Sequence, residues 1–228
     1  MKEVTFISSS CGMANWPRTL AMIATVQLHF PDSLVFIRPH GIPVTDDSLG
    51  YLQTVAGLRT LHGNSRFFHS ELPSTKPLSI ARMLPQITTR YVCLIDNDVI
   101  ITGSNWMTHH LELLQSGFSA VGGMGESLVW CSERQPWKSG EPCEVLNGAI
   151  ITTTTELLWE IPHDDLPGCF LDDVVWSMRL KLAGKLVTFY PADAVHHFDT
   201  NVYPNFDRKA MRQHSLDEFH RVFGEHLP

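Results

Sequence analysis

Several absences narrow the field before any motif is read. No apolar run approaches the ~18 residues of a bilayer-spanning helix, so no transmembrane segment is expected. There is no Cys-x-x-Cys pair. The five cysteines (Cys11, Cys93, Cys131, Cys143 and Cys169) are odd in number and scattered. That argues against a disulfide framework or a cysteine zinc site, and for reduced thiols in a reducing compartment. Basic charge is short as well, with 17 Lys and Arg against 24 Asp and Glu and a formal charge of −7. A general nucleic-acid binder needs a basic face, so no nucleic-acid partner is expected. A nucleotide ligand stays open, because a metal ion and a few local Lys or Arg hold one pyrophosphate. The chain carries no internal repeat, low-complexity tract or linker, and no basic stretch followed by an apolar one at its start. A cytoplasmic protein of one domain over residues 1–228 is the expectation.

What is present centres on Tyr91-Val92-Cys93-Leu94-Ile95-Asp96-Asn97-Asp98-Val99-Ile100. Five apolar residues ahead of Asp96 predict a strand buried on both faces, as in the middle of a parallel sheet. Two carboxylates one residue apart at its end are costly to bury without a cation or strong hydrogen bonds. An Asp-x-Asp (DXD) spacing of oxygen ligands suits a hard divalent ion that also takes phosphate oxygens. A strand ending in an ordinary polar turn accounts for the same residues.

Around that stretch the pattern alternates. Val4-Thr5-Phe6-Ile7 reads as a strand followed by a small-residue loop, Ser8-Ser9-Ser10-Cys11-Gly12. Asn15 is placed to cap a helix with Pro17 in its first turn and Leu20, Ile23, Ala24 and Leu28 as its apolar stripe. Ser33-Leu34-Val35-Phe36-Ile37 is a second strand. A strand, a helix and a strand within some forty residues make a βαβ unit, which predicts an α/β fold with a mostly parallel sheet and helices on both faces. Further on, the spacing predicts a helix from Asp46 to Leu58, an edge strand over 66–69 and a helix over 76–85 with Pro85 as its stop. Next come a helix over 106–115 ended by Gly117, a strand over 150–154, and a helix over 156–159. Residues 122–142, rich in Gly, Trp and Pro, read as a binding loop or lid, or as a surface excursion. Leu171, Val175, Met178 and Leu182 predict a helix with one apolar stripe, opened by Asp172-Asp173 and stopped by Gly184. A strand over 186–190 precedes His196-His197, and a tail helix over 208–223 shows Leu216, Phe219 and Phe223 on one side.

Three polar groups remote in sequence are candidates to meet: Asp96/Asp98, Asp172/Asp173 and His196/His197. Ligands of open α/β sheets collect at the carboxyl ends of the strands, where Asp98 is expected. A helix N-terminus favours the ionised form of Asp172 and Asp173, as a general base requires; plain N-capping is the competing account. For the histidines, a strand end with one satisfied ring is the alternative.

The run from 170 to 198 (an acidic pair, a helix with Arg179, Ala183-Gly184, a strand, Pro191, then His196-His197) resembles the C-terminal signature of family 2 glycosyltransferases. With Asp96-Asn97-Asp98 and Asn147-Gly148-Ala149 in order before it, the resemblance covers about residues 4–200 and implies a GT-A (Rossmann-like) fold. The resemblance implies an inverting, metal-dependent transferase that moves a sugar from a UDP- or GDP-sugar to a glycan or other hydroxyl acceptor. It makes Asp96 and Asp98 ligands of Mn²⁺ or Mg²⁺, with His197, or His196 after a one-residue shift, as a further ligand. Asp173 becomes the general base and Asp172 a sugar-binding neighbour; Ser8, Arg82, Asn97, Asn147 and Gly148 fall on the donor side. Residues up to about 100 then form the nucleotide-binding half, about 101–200 the acceptor and catalytic half, and 201–228 a helical tail. Two departures stand out: Asp-Asp where Glu-Asp is usual, and no Pro-x-Tyr-Asn in the first loop. Asp46-Asp47 resembles the acidic base-binding motif at a longer spacing. A retaining transferase of the family 8 type, and a non-catalytic nucleotide- or carbohydrate-binding domain, remain the alternatives.

Overall fold

The computed structural model describes residues 2–12, 15–41, 64–70, 72, 74–123, 125–126, 139–163, 172–196 and 208–224. The first half comprises β1 (Val4–Cys11), α1 (Trp16–His29), β2 (Leu34–His40), β3 (Ser65–Phe67), α2 (Lys76–Met83), β4 (Tyr91–Ile95) and β5 (Val99–Ile101). The second comprises α3 (Asn105–Gln115), β6 (Ala120–Gly122), β7 (Gly125–Glu126), β8 (Val145–Leu146), β9 (Ile150–Thr154), α4 (Thr155–Glu160), α5 (Asp172–Leu182), β10 (Val187–Phe189), β11 (Ala194–His196) and α6 (Arg208–Phe223).

Among the described residues, a seven-stranded sheet has the order β10-β6-β9-β4-β1-β2-β3. Its pairs are parallel except those of β9, which runs antiparallel between β4 and β6. Strand β4 sits in the middle with all five side chains buried, as its apolar composition requires. Tyr91, Cys93 and Ile95 pack with Phe6, Phe30 and Trp106 on the side of α1 and α3. Val92 and Leu94 pack with Ile80, Met83, Trp176 and Leu180 on the side of α2 and α5. Each such side chain contributes roughly 1.5–3 kcal/mol of burial, which fixes the strand between its two layers. This is the α/β, mostly parallel, doubly covered sheet expected from the sequence.

Several local expectations need correction. The serines after Ile7 are not a loop: β1 continues to Cys11, because all of Thr5 to Cys11 pair with β2. In α1 the buried positions are Trp16, Thr19, Met22, Ile23 and Val26, whereas Leu28 is 74% exposed. Asn15 precedes the helix but makes no side-chain cap hydrogen bond. Leu182 is also exposed, so α5 has no single stripe. It is buried on two sides instead: Trp176 and Leu180 face the sheet, and Val175 and Met178 meet Phe219 and Phe223 of α6. The candidate helix at Asp46, most of the 122–142 loop, and Leu171 lie outside the described residues. Among the described residues Cys93 and Cys143 are free thiols, pushed up to about 12 chiefly by burial.

Two histidines are built into this scaffold in their neutral form. His110 Nε2 lies 2.9 Å from the Tyr190 carbonyl and must donate to it, so Nδ1 accepts from Thr152 Oγ1 at 2.8 Å. His40 Nδ1 accepts from the Ser74 N–H at 3.0 Å. Burial, helped by the charges of His109 and Arg38 respectively, lowers both to about 4 from 6.5. The unfolded chain therefore binds more protons than the native one between these values, and stability must rise with pH across that window and level off above it. Each histidine adds a slope of up to about 1.4 kcal/mol per pH unit. Urea unfolding from pH 4 to 8 is expected to give this profile, with His110→Gln flattening part of it; identical slopes for variant and parent would refute the assignment.

Candidate active site

The turn after β4 is where separate segments converge. Asp96, Asn97 and Asp98 are turn-forming residues, and the Val99 N–H closes the turn on the Asp96 carbonyl at 3.3 Å. The Asp96 N–H donates to the Ala149 carbonyl at 2.9 Å, which ties this turn to the entrance of β9. Because β9 is antiparallel to β4, its N-terminal end lies beside the carboxyl end of β4, and Asn147-Gly148-Ala149 is delivered there. Asn147 is buried and its Oδ1 accepts from the Ala149 N–H at 2.9 Å, which shapes that entrance.

Asp96 meets Lys76, in the first turn of α2. Thr75 caps this helix by accepting from the Leu78 N–H at 3.2 Å, and Pro77 occupies the first turn. Lys76 Nζ donates to Asp96 Oδ1 at 2.6 Å and to the Gly148 carbonyl at 2.6 Å. On the other side of the same glycine, the Gly148 N–H donates to Asp173 Oδ2 at 2.7 Å, and the Val174 N–H donates to Oδ1 at 2.8 Å. A Cβ at Gly148 would stand 3.1 Å from both Cβ and Oδ2 of Asp173, so glycine lets the start of α5 approach this closely. Asp172, the neighbouring acid, has Oδ2 3.8 Å from Nε2 of the buried His163. Asp96, Gly148, Asp172 and Asp173 are thus brought together, with Lys76 among them.

The electrostatics of this corner overturn one expectation. The helix N-terminus was expected to keep Asp173 ionised; instead its carboxyl is pushed up to about 7, first by burial and then by the charge of Asp172. Lys76 and the N–H groups of Gly148 and Val174 oppose the rise without cancelling it. Burial disfavours the charge of Lys76, but Asp96, Asp172 and Asp173 more than offset that, and its pKa is raised.

The remaining candidates are spread around this corner. Asp98 is buried, 6% exposed, just before β5. Asn97 turns to the α1 side, where Nδ2 donates to Thr19 Oγ1 at 3.4 Å. Ser8 lies within β1, its Oγ buried with no hydrogen-bond partner among the described residues, at the same strand parity as Phe6 and Ser10 on the α1 side. That puts it across the sheet from α2, which bears the exposed Arg82. The structure therefore does not bring Ser8 and Arg82 together. The His196 backbone pairs with Val99, the residue after Asp98, while its side chain and all of His197 lie outside the described residues.

Two cations escaped the sequence reading. Lys76 carries no motif, and a lysine in a first helical turn looks like a solvated residue. Arg38, near the end of β2, has a buried Nε with no hydrogen-bond partner among the described residues, and burial together with nearby Arg82 lowers its pKa. Its even position in β2, like that of Phe36, turns it to the α2 side. Among the described residues no three or more His, Cys, Asp or Glu gather in a group suited to a metal. The donor set that is present, two carboxylates in Asp-x-Asp, still fits Mg²⁺ or Mn²⁺, ions held by one or two carboxylates and completed by substrate phosphates.

No family model matches the sequence, and a search of curated proteins finds no similar one. Solved structures do match in fold. The mannosyltransferase PcManGT from Pyrobaculum calidifontis, in complex with GDP-Man and Mn²⁺, superposes with a TM-score of 0.69 at 16% identity over 97% of this chain. S. aureus TarS 1-349 in complex with UDP-GlcNAc gives a TM-score of 0.61 at 13% identity over 98% of this chain. The chain spans 64% of that mannosyltransferase structure, and 44% of the longer TarS structure. The fold is thus the GT-A-like one of these glycosyltransferases.

If Gly148 is what admits the first turn of α5, Gly148→Ala must force Asp173 away. The expected cost is about 1–3 kcal/mol in urea unfolding. Unchanged stability would mean that α5 is free to retreat.

Proposed function

We propose that the chain is a glycosyltransferase that moves a sugar from a nucleotide-diphosphate donor to an acceptor hydroxyl with inversion at the anomeric carbon. The observation that carries this reading is Asp173. Its carboxyl is held by two backbone N–H groups, pushed up by burial and by the charge of Asp172, and in the same corner as the Asp-x-Asp turn. A carboxylate whose pKa is raised toward the working pH pulls more strongly on the acceptor proton than an ordinary one.

The chemistry divides among the chain's own residues. Asp173 accepts the proton of the acceptor hydroxyl as its oxygen attacks the anomeric carbon, and the bond to the diphosphate oxygen breaks. Asp172 orients a sugar hydroxyl beside it. Asp98 and Asp96, with His197 or His196, would hold Mn²⁺ or Mg²⁺. Such an ion, when bound, supplies Lewis-acid stabilisation of the charge that develops on the leaving diphosphate. Asn97, Asn147, Gly148 and Arg82 belong to the donor side, and Arg38 adds a guanidinium there. Ser8 keeps a donor-side role only through its backbone, since its hydroxyl faces α1. GDP- and UDP-sugars are the donors to test first, given the complexes in which the two similar structures were solved. The acceptor is a glycan or another hydroxyl compound, the division near residue 100 separates donor from acceptor side, and the site of action is the cytoplasm. No helix among the described residues is long and apolar enough to cross a membrane.

Asp173→Asn keeps the shape of the side chain and removes the proton acceptor. Transfer from GDP-mannose or UDP-GlcNAc is expected to fall by about 10²–10⁴-fold while binding of donor with Mn²⁺ is retained. Near-normal turnover in the variant would refute the base assignment.

A further inference from the structure

Lys76 is the cation of the acidic corner, and nothing in the proposed reaction yet uses it. Its ammonium touches Asp96 and the Gly148 carbonyl at 2.6 Å each, one-fifth of the side chain is exposed, and Asp172 and Asp173 add to the field around it. The position is an unfavourable one for a lysine. In the first turn of α2 the helix dipole repels a positive charge, and a surface rotamer would leave the ammonium fully hydrated. Only the carboxylates make the inward rotamer worthwhile. The third proton of the ammonium is not committed by the Asp96 and Gly148 bonds, and the four-carbon stem allows the head to move while the helix stays still.

We propose that Lys76 and a divalent ion are alternative counter-ions of Asp96. Lys76 neutralises the carboxylate until the ion binds; on loading it yields Asp96 and turns its ammonium to an oxygen of the nucleoside diphosphate. This rests on the metal- and diphosphate-binding reading above. The consequence is thermodynamic coupling. Mn²⁺ alone must pull Asp96 from its 2.6 Å contact with the ammonium and leave it only the more distant charges of Asp172 and Asp173, so it binds weakly. A diphosphate supplies that partner, so each of the two ligands strengthens the other, and by linkage the strengthening is reciprocal.

The test measures free Mn²⁺ by electron paramagnetic resonance, with and without GDP or UDP, on the parent protein and on Lys76→Met. Competition predicts that Lys76→Met binds Mn²⁺ alone about tenfold more tightly, and that the tightening brought by GDP or UDP shrinks. Lys76→Arg, which keeps the charge, is expected to bind Mn²⁺ alone as weakly as the parent. Should Lys76→Met fail to fold by circular dichroism, Lys76→Gln carries the same measurement, because its amide is uncharged but still a hydrogen-bond donor. Unchanged or weaker Mn²⁺ binding in the uncharged variant, with the parent binding Mn²⁺ and diphosphate together, overturns the exchange and leaves Lys76 a structural bridge. A parent protein that binds neither ligand overturns the proposed function itself, and this inference with it.

Discussion

A carboxylate carried at the end of a strand buried on both faces needs a positive charge beside it, and the organisation of this molecule follows from meeting that need. Five apolar side chains fix β4 between two helical layers, and so fix where the partly exposed Asp96 leaves the strand. Lys76 answers it from α2, and the same ammonium reaches the Gly148 carbonyl. An acid in the turn after β4, a helix packed on one face of the sheet and the entrance of β9 are thereby joined through one cation. Coulomb attraction in a partly desolvated site is far stronger than the same pair would enjoy in water, so this contact adds to the packing and backbone bonds between these segments.

The antiparallel course of β9 matters as much as the charge. In an all-parallel sheet, the residues before a strand sit at the edge opposite the carboxyl ends. Reversing β9 brings residues 147–149 to the end of β4, where the Ala149 carbonyl receives the Asp96 N–H. Gly148 can then serve two partners with one peptide unit, giving its carbonyl to Lys76 and its N–H to Asp173. Helix α5 is held from its other flank by Phe219 and Phe223 of α6, so the tail helix also bears on where Asp173 stands.

Asp173 illustrates how opposing effects are weighed. A helix N-terminus and two N–H donors favour the carboxylate, by amounts that are modest for a dipole near a surface. Burial and a second carboxylate one residue away act the other way and win, leaving the group near 7. That balance suits a proton acceptor that must take up and release its proton within each cycle. The same geometry without Asp172 would give a stronger acid and a weaker base.

The α/β class, the central buried strand, the limits of α3 and β9, and the acidic opening of α5 were legible in the sequence. Each rests on local information: unbroken apolar runs, helical spacing, and stops such as Gly117 and Gly184. Which face a residue takes was legible only where the pattern was clean. Leu28 and Leu182 fit a helical stripe and yet lie at the surface, because the neighbours that would have covered them are elsewhere. The reversal of β9, the place of Gly148 against Asp173, the upward shift of that acid, and the role of Lys76 came from tertiary structure alone. A lysine in a first helical turn has no signature until a carboxylate twenty residues away is folded against it, and charge interactions depend on distance and burial, which the order of residues does not contain.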